Sequence, residues 1–188
     1  MKKTLFILLA LLPIMVNAQF KLTIDGFVSS DDESKNFIIM TIPDKSLDEL
    51  YLETLKFIHT VYKVPDAVIN EVKGEMITVS GFAENAVGTG KVLGAYLATW
   101  NMNYTISLQF KEGRVRVDAP NFECTGYSDG KETRLLLYGK TSLSVPTRSL
   151  FKKDGKPNMK DSIKMIEDYF NGFINGYDNY INKQEEEW

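Results

Sequence analysis

Residues 104–118 constrain the fold more than any other stretch of the chain. Tyr104, Ile106, Leu108 and Phe110 alternate with Thr105, Ser107, Gln109 and Lys111. A period of two sends one set of side chains into a core and the other into water. Lys111-Glu112-Gly113 turns the chain, and Val115 and Val117 then alternate with Arg114, Arg116 and Asp118. The segment reads as an antiparallel hairpin, apolar on one face and polar on the other. Such a sheet needs a second layer over its apolar face.

Two helical segments can supply that layer. Ser46 followed by Glu49 is a capping box, and Leu47, Leu50, Tyr51, Ile58, Val61 and Tyr62 recur behind it at helical spacing. Pro65 stops this helix after about Tyr62. A longer helix is predicted from about Met159 to Asn182, with Asn158 as its cap. Ile163, Ile166, Phe170, Phe173, Ile174, Tyr177 and Ile181 form its apolar stripe. Gly172 and Gly176 lie in that stripe, each costing roughly 1 kcal/mol relative to alanine. Close approach of this helix to the sheet accounts for them.

The remaining strands are shorter. Phe37 to Ile42 is apolar on both faces, and 67–72 with 76–82 reads as a hairpin around Lys73-Gly74. Residues 85–94 read as a glycine-rich loop. Arg134–Tyr138 and Leu143–Val145 read as short strands. Residues 19–36 form an N-terminal linker or edge strand around Leu22 and Ile24, and 184–188 a frayed tail. The expected architecture is a single two-layer α+β domain over 37–183, in the order β-α-β-β-β-β-α, with a mostly antiparallel sheet and two helices on one face. Its expected core is Phe37, Ile39, Leu50, Ile58, Ile106, Leu108, Val115, Val117, Ile166, Phe170 and Phe173.

The first eighteen residues set the compartment. Lys2 and Lys3 precede an apolar run from Thr4 to Val16, and Val16-Asn17-Ala18 has the short residues of a signal-peptidase site. Cleavage after Ala18 is expected, with residues 1–18 as the signal peptide. Gln19 follows, where a lipoprotein would have cysteine. The expected product is free in the periplasm or secreted, and does not span the membrane. The chain has 22 basic and 25 acidic side chains, and the leader removes Lys2 and Lys3. An acidic protein has no general pull on nucleic acid. Cys124 is the one cysteine, so no intramolecular disulfide forms.

The run Ile42-Pro43-Asp44-Lys45-Ser46-Leu47-Asp48-Glu49-Leu50-Tyr51, together with Tyr104 through Lys111-Glu112-Gly113-Arg114-Val115-Arg116, resembles domain-of-unknown-function family 4468. The resemblance spans residues 35–125, and the last helix fits by position. It implies a fold like one repeat of the TATA-binding protein, in exported proteins of Gram-negative envelopes. It implies no activity, and the likeness to a DNA-binding protein is architectural.

Motifs that could carry chemistry have simpler readings. Gly126-Tyr127-Ser128-Asp129-Gly130 matches a hydrolase nucleophile elbow, but the only histidine, His59, precedes it and the sheet is antiparallel. Gly88-Thr89-Gly90-Lys91 lacks the flanking glycine and hydroxyl of a phosphate loop. Cys124, two residues from Phe122, reads as a small core residue. His59 has no second histidine to complete a metal site. Asp31-Asp32-Glu33 reads as a solvated run, and Trp188 follows three glutamates instead of an alternating strand. Asp161-Ser162-Ile163 resembles a short O-glycosylation sequon.

The expectation is therefore a non-catalytic binding or interaction module with no cofactor and no metal. Its candidate interaction surface is the wet sheet face: Ser107, Gln109, Lys111, Arg114, Arg116 and Asp118. The corresponding face of the TATA-binding protein binds its ligand. Its partner would be an envelope protein, a glycan or a small ligand. The alternative is a small-molecule or lipid carrier with a pocket between the C-terminal helix and the sheet.

Overall fold

The computed structural model describes residues 19–128, 131–139 and 146–183. The expected signal peptide at 1–18, the expected strand at Leu143–Val145 and the expected tail at 184–188 lie outside them. Helix α1 spans Leu47–Val61, and the capping box forms as read: Ser46 accepts from the Glu49 amide, and the Glu49 carboxylate accepts from the Ser46 amide. Its buried residues include Leu50, Tyr51, Thr54, Phe57 and Ile58. Helix α2 spans Lys160–Lys183 and buries Ile163, Ile166, Phe170, Ile174, Tyr177 and Ile181. Asn158 does not cap it. Its amide instead donates to the Ser149 carbonyl at 2.9 Å, which pins the preceding loop.

Among the described residues ten strands precede α2: β1 (Phe20–Thr23), β2 (Gly26–Ser29), β3 (Phe37–Thr41), β4 (Ile69–Val72), β5 (Met76–Val92), β6 (Ala95–Lys111), β7 (Arg114–Asp118), β8 (Asn121–Ser128), β9 (Lys131–Leu136) and β10 (Thr147–Ser149). The main sheet is built on the β5–β6 pair. On its far side, β6 is shared: Leu108–Lys111 pair with β7, and Asn101–Thr105 with β8. Strand β3 extends the sheet beyond β7, β9 beyond β8, and β4 flanks β5. All these pairs are antiparallel, and among the described residues only β9–β10 is parallel. This is the expected α+β class. Among the described residues no helix is long and apolar enough to cross a membrane.

Three expectations about the strands change. Residues 85–92 continue β5 instead of forming a loop, with a bulge between Ala83 and Val87. Of the glycines that suggest a loop, Gly88 and Gly90 make room for side chains of the opposite strand, and Gly94 takes the positive φ of the turn. A Cβ on Gly88 would sit 2.5 Å from the Tyr96 ring. Second, Phe37 and Ile39 face away from the core, while Ile38, Met40 and Ile42 are buried. An apolar run leaves its inward parity open. Pairing sets it, because Ile38 and Met40 stand opposite Val117 and Val115.

Third, the short strand expected around Leu22 forms as β1, but it pairs with β2 in a hairpin docked on α2 instead of joining a linker. The Phe20 amide donates to Asn171 Oδ1 at 2.8 Å, and Asn171 Nδ2 donates back to the Phe20 carbonyl at 2.9 Å. The Leu22 amide donates to Glu167 Oε1 at 2.8 Å. Phe27 meets Phe170 edge-on, with ring centroids 5.2 Å apart. The two side chains of α2 thus satisfy edge-strand amides that would otherwise lack partners.

Candidate functional site

The six candidate residues lie on the open face of the sheet, alternating with buried Ile106, Leu108, Phe110, Val115 and Val117. Most of their polar groups satisfy one another. Asp118 accepts from Arg116 Nε at 2.7 Å and from Gln109 Nε2 at 2.9 Å. The Arg116 guanidinium also stacks on Phe37, 4.0 Å from its ring centroid. Ser107 and Thr78 share a hydroxyl contact at 3.1 Å. Lys111 and Arg114 face each other directly across the strands. Between Phe37, Ile39, Gln109, Lys111, Arg114 and Arg116 is a shallow depression of about 230 Å³.

The helix side holds a different kind of site. The C-terminal end of α1, the middle of α2 and the exposed edge of β5 border a half-open cavity of about 390 Å³, with Gly172 on its solvent-exposed side. Phe57, Val61, Tyr62, Phe82, Tyr104, Tyr169, Gly172, Phe173 and Gly176 line it. Its wall is aromatic: Phe57 and Phe173 pack with centroids 5.4 Å apart, and Tyr104 and Tyr169 at 5.2 Å. Phe82 and Val61 are largely exposed at its mouth.

Gly172 and Gly176 do not mark close contact with the sheet, contrary to the sequence expectation. A Cβ on Gly172 would meet nothing within 4 Å. One on Gly176 would come only within 3.7 Å of Phe57 on α1. The contact that needs glycine lies underneath, at Gly81. This residue stands opposite Tyr104 in the β5–β6 register, and a Cβ there would lie 2.3 Å from the Tyr104 Cζ and hydroxyl oxygen. The Tyr104 ring therefore crosses the bare backbone of Gly81, as close packing in a strand requires.

The Tyr104 hydroxyl then meets that of Tyr62 at 2.9 Å and also interacts with that of Tyr169. Burial pushes the pKa of all three above the ordinary tyrosine value, so they are neutral hydroxyls through the physiological range. Nothing in the alternation around residue 104 separates tyrosine from phenylalanine, so this cluster is not visible in the sequence pattern. The available signal was a glycine directly opposite a tyrosine in the hairpin register.

The other motifs find structural places. Cys124 is buried, and desolvation pushes its thiol up to about 12, against the thiolate a nucleophile needs. His59 is exposed in the last turn of α1. Gly126 lies in β8, where a Cβ would sit 2.6 Å from the Thr99 carbonyl oxygen. Asp129 and Gly130 of the elbow-like motif lie outside the described residues. Gly88, Thr89 and Gly90 are strand residues. Ser162 of the sequon-like tripeptide is fully buried and donates to the Gly88 carbonyl at 2.8 Å, so its hydroxyl is not offered for glycosylation. Among the described residues no three His, Cys, Asp or Glu side chains gather to hold a metal ion.

No curated protein matches this sequence. Two solved structures are similar. A DUF4468 family protein from Bacteroides ovatus aligns with TM-score 0.51 and 16% identity, over 81% of this chain and 85% of that one. A TBP-like protein from Parabacteroides distasonis aligns with TM-score 0.45 and 16% identity, over 76% of this chain and 91% of that one. Residues 38–125 match the model of the domain of unknown function DUF4468, with TBP-like fold. That matched segment runs from β3 into β8 and contains α1, Gly81 and Tyr104, while α2 supplies the rest of the cavity. On these findings residues 38–125 are similar to the DUF4468 domain, and the chain shares the fold of the Bacteroides ovatus protein.

Proposed function

We propose that this is an exported, non-catalytic binding protein that carries a small apolar molecule in the cavity between α1, α2 and the sheet. The observation that carries the reading is the pair of helix glycines on the cavity. Gly172 and Gly176 each give up helix stability, yet no backbone or side chain of the sheet presses on them. Space is what they provide. The volume of about 390 Å³ falls in the range of small-molecule sites, and the lining is aromatic with a few hydroxyls. Those hydroxyls are neutral, and none is a base near neutral pH. The leader motif supports export to the envelope.

The open sheet face supports a binding role less. Its Arg116, Asp118, Gln109, Ser107 and Thr78 side chains already satisfy one another. The test is titration with α-methylstyrene, a small apolar probe, followed by the aromatic resonances of the cavity residues. Shifts confined to Phe57, Tyr62, Tyr104, Tyr169 and Phe173, and abolished by Gly172→Leu, are expected. Shifts elsewhere, or binding that Gly172→Leu leaves intact, would refute the reading.

A further inference from the structure

We infer that the natural ligand carries a hydrogen-bond acceptor, a carbonyl or carboxylate oxygen on an apolar body, and that the Tyr62–Tyr104–Tyr169 cluster donates to it. The inference rests on the proposed cavity function and adds the chemical class of the ligand. It follows from counting hydrogens. Each hydroxyl has one hydrogen to donate. Tyr62 and Tyr104 share one bond, at 2.9 Å, which uses one hydrogen of two. Tyr169 brings a third hydrogen and at most one further bond, to Tyr104. Whichever way the bonds run, at least one hydrogen is left over. Among the described residues these hydroxyls have no other hydrogen-bond partner.

A purely apolar ligand would bury that hydrogen unpaired, and an unmade buried hydrogen bond is costly. A ligand with an acceptor would instead complete the cluster. Burial keeps the hydroxyls protonated, so the donor persists at neutral pH. Phe57, Phe82 and Phe173 supply the apolar surface for the rest of the molecule.

The experiment compares acetophenone with α-methylstyrene, which have the same shape but differ in having a carbonyl oxygen or a methylene. Binding is measured by NMR titration of the full mature chain and of the triple variant Tyr62→Phe, Tyr104→Phe, Tyr169→Phe. Removing the three hydroxyls together leaves none of them unpaired, so the variant should fold. The preference for acetophenone over α-methylstyrene is expected to be about five-fold greater in the wild type than in the variant, as one net hydrogen bond implies. Independently of any variant, the carbonyl stretch of bound acetophenone should lie below its frequency in hexane. An unshifted carbonyl overturns the inference and leaves the cavity function standing. A preference that survives in the triple variant overturns the assignment to the tyrosines. Binding of neither probe overturns the cavity function, and this inference with it.

Discussion

Gly172 is the position where the cavity makes its sharpest demand. In a packed helix–sheet interface, a larger side chain there would overpack and cost about 1–3 kcal/mol. The structure leaves 4 Å of open space around an added Cβ. Gly172→Ala therefore gains the helix propensity of about 1 kcal/mol with no steric penalty. For a domain of this size that raises Tm by about 2–4 °C. Gly172→Leu keeps most of that gain and places an isobutyl group inside the cavity, so it should match or exceed wild-type stability while losing probe binding. Thermal unfolding followed by circular dichroism, run beside the α-methylstyrene titration, reads both. A lower Tm for Gly172→Ala would refute the reasoning, because it would mean the helix does press on something at that point.

Gly81→Ala should do the opposite. The Cβ would collide with the Tyr104 ring at 2.3 Å, so unfolding should occur about 1–3 kcal/mol more easily and the preference for acetophenone should fall; unchanged stability would show that the ring has room to move. Cys124, with its thiol held up to about 12, should react with a thiol reagent slowly when native and rapidly once unfolded; rapid native labelling would contradict its burial. Hydrogen bonds from Lys35 and Ser34 hold the Asp32 carboxyl at about 2, below its ordinary 3.8. Its contribution to stability is present above the unfolded value and is lost as pH falls from about 3.8 towards 2, so the stability profile of Asp32→Asn should be flatter in that window.

The layers of this fold were legible because their signals are local. The period-two pattern of residues 104–118 and the Ser46–Glu49 box each need only a few neighbouring residues, and both form as read. What was not legible depends on distant partners. The inward parity of Phe37–Thr41 is set by Val115 and Val117, and the hairpin at 20–29 is held by Asn171 and Glu167. Residues 85–92 were obscured by glycines with strand roles: Gly88 admits the Tyr96 ring from the opposite strand, and Gly90 takes a positive φ of 64° beside Leu97. The cavity was half visible. The glycine pair at 172 and 176 stands out in the sequence as unusual for a helix. Whether such a pair means contact or space depends on what lies opposite, and no periodicity reports that.

Native mass spectrometry of the protein recovered from the envelope of its own cells tests the central claim most directly. The account predicts a chain that begins at Gln19 and carries one small, apolar, acceptor-bearing molecule, released on unfolding and absent from the Gly172→Leu variant. A bare mass for the wild type, or an adduct that Gly172→Leu retains equally well, would contradict it.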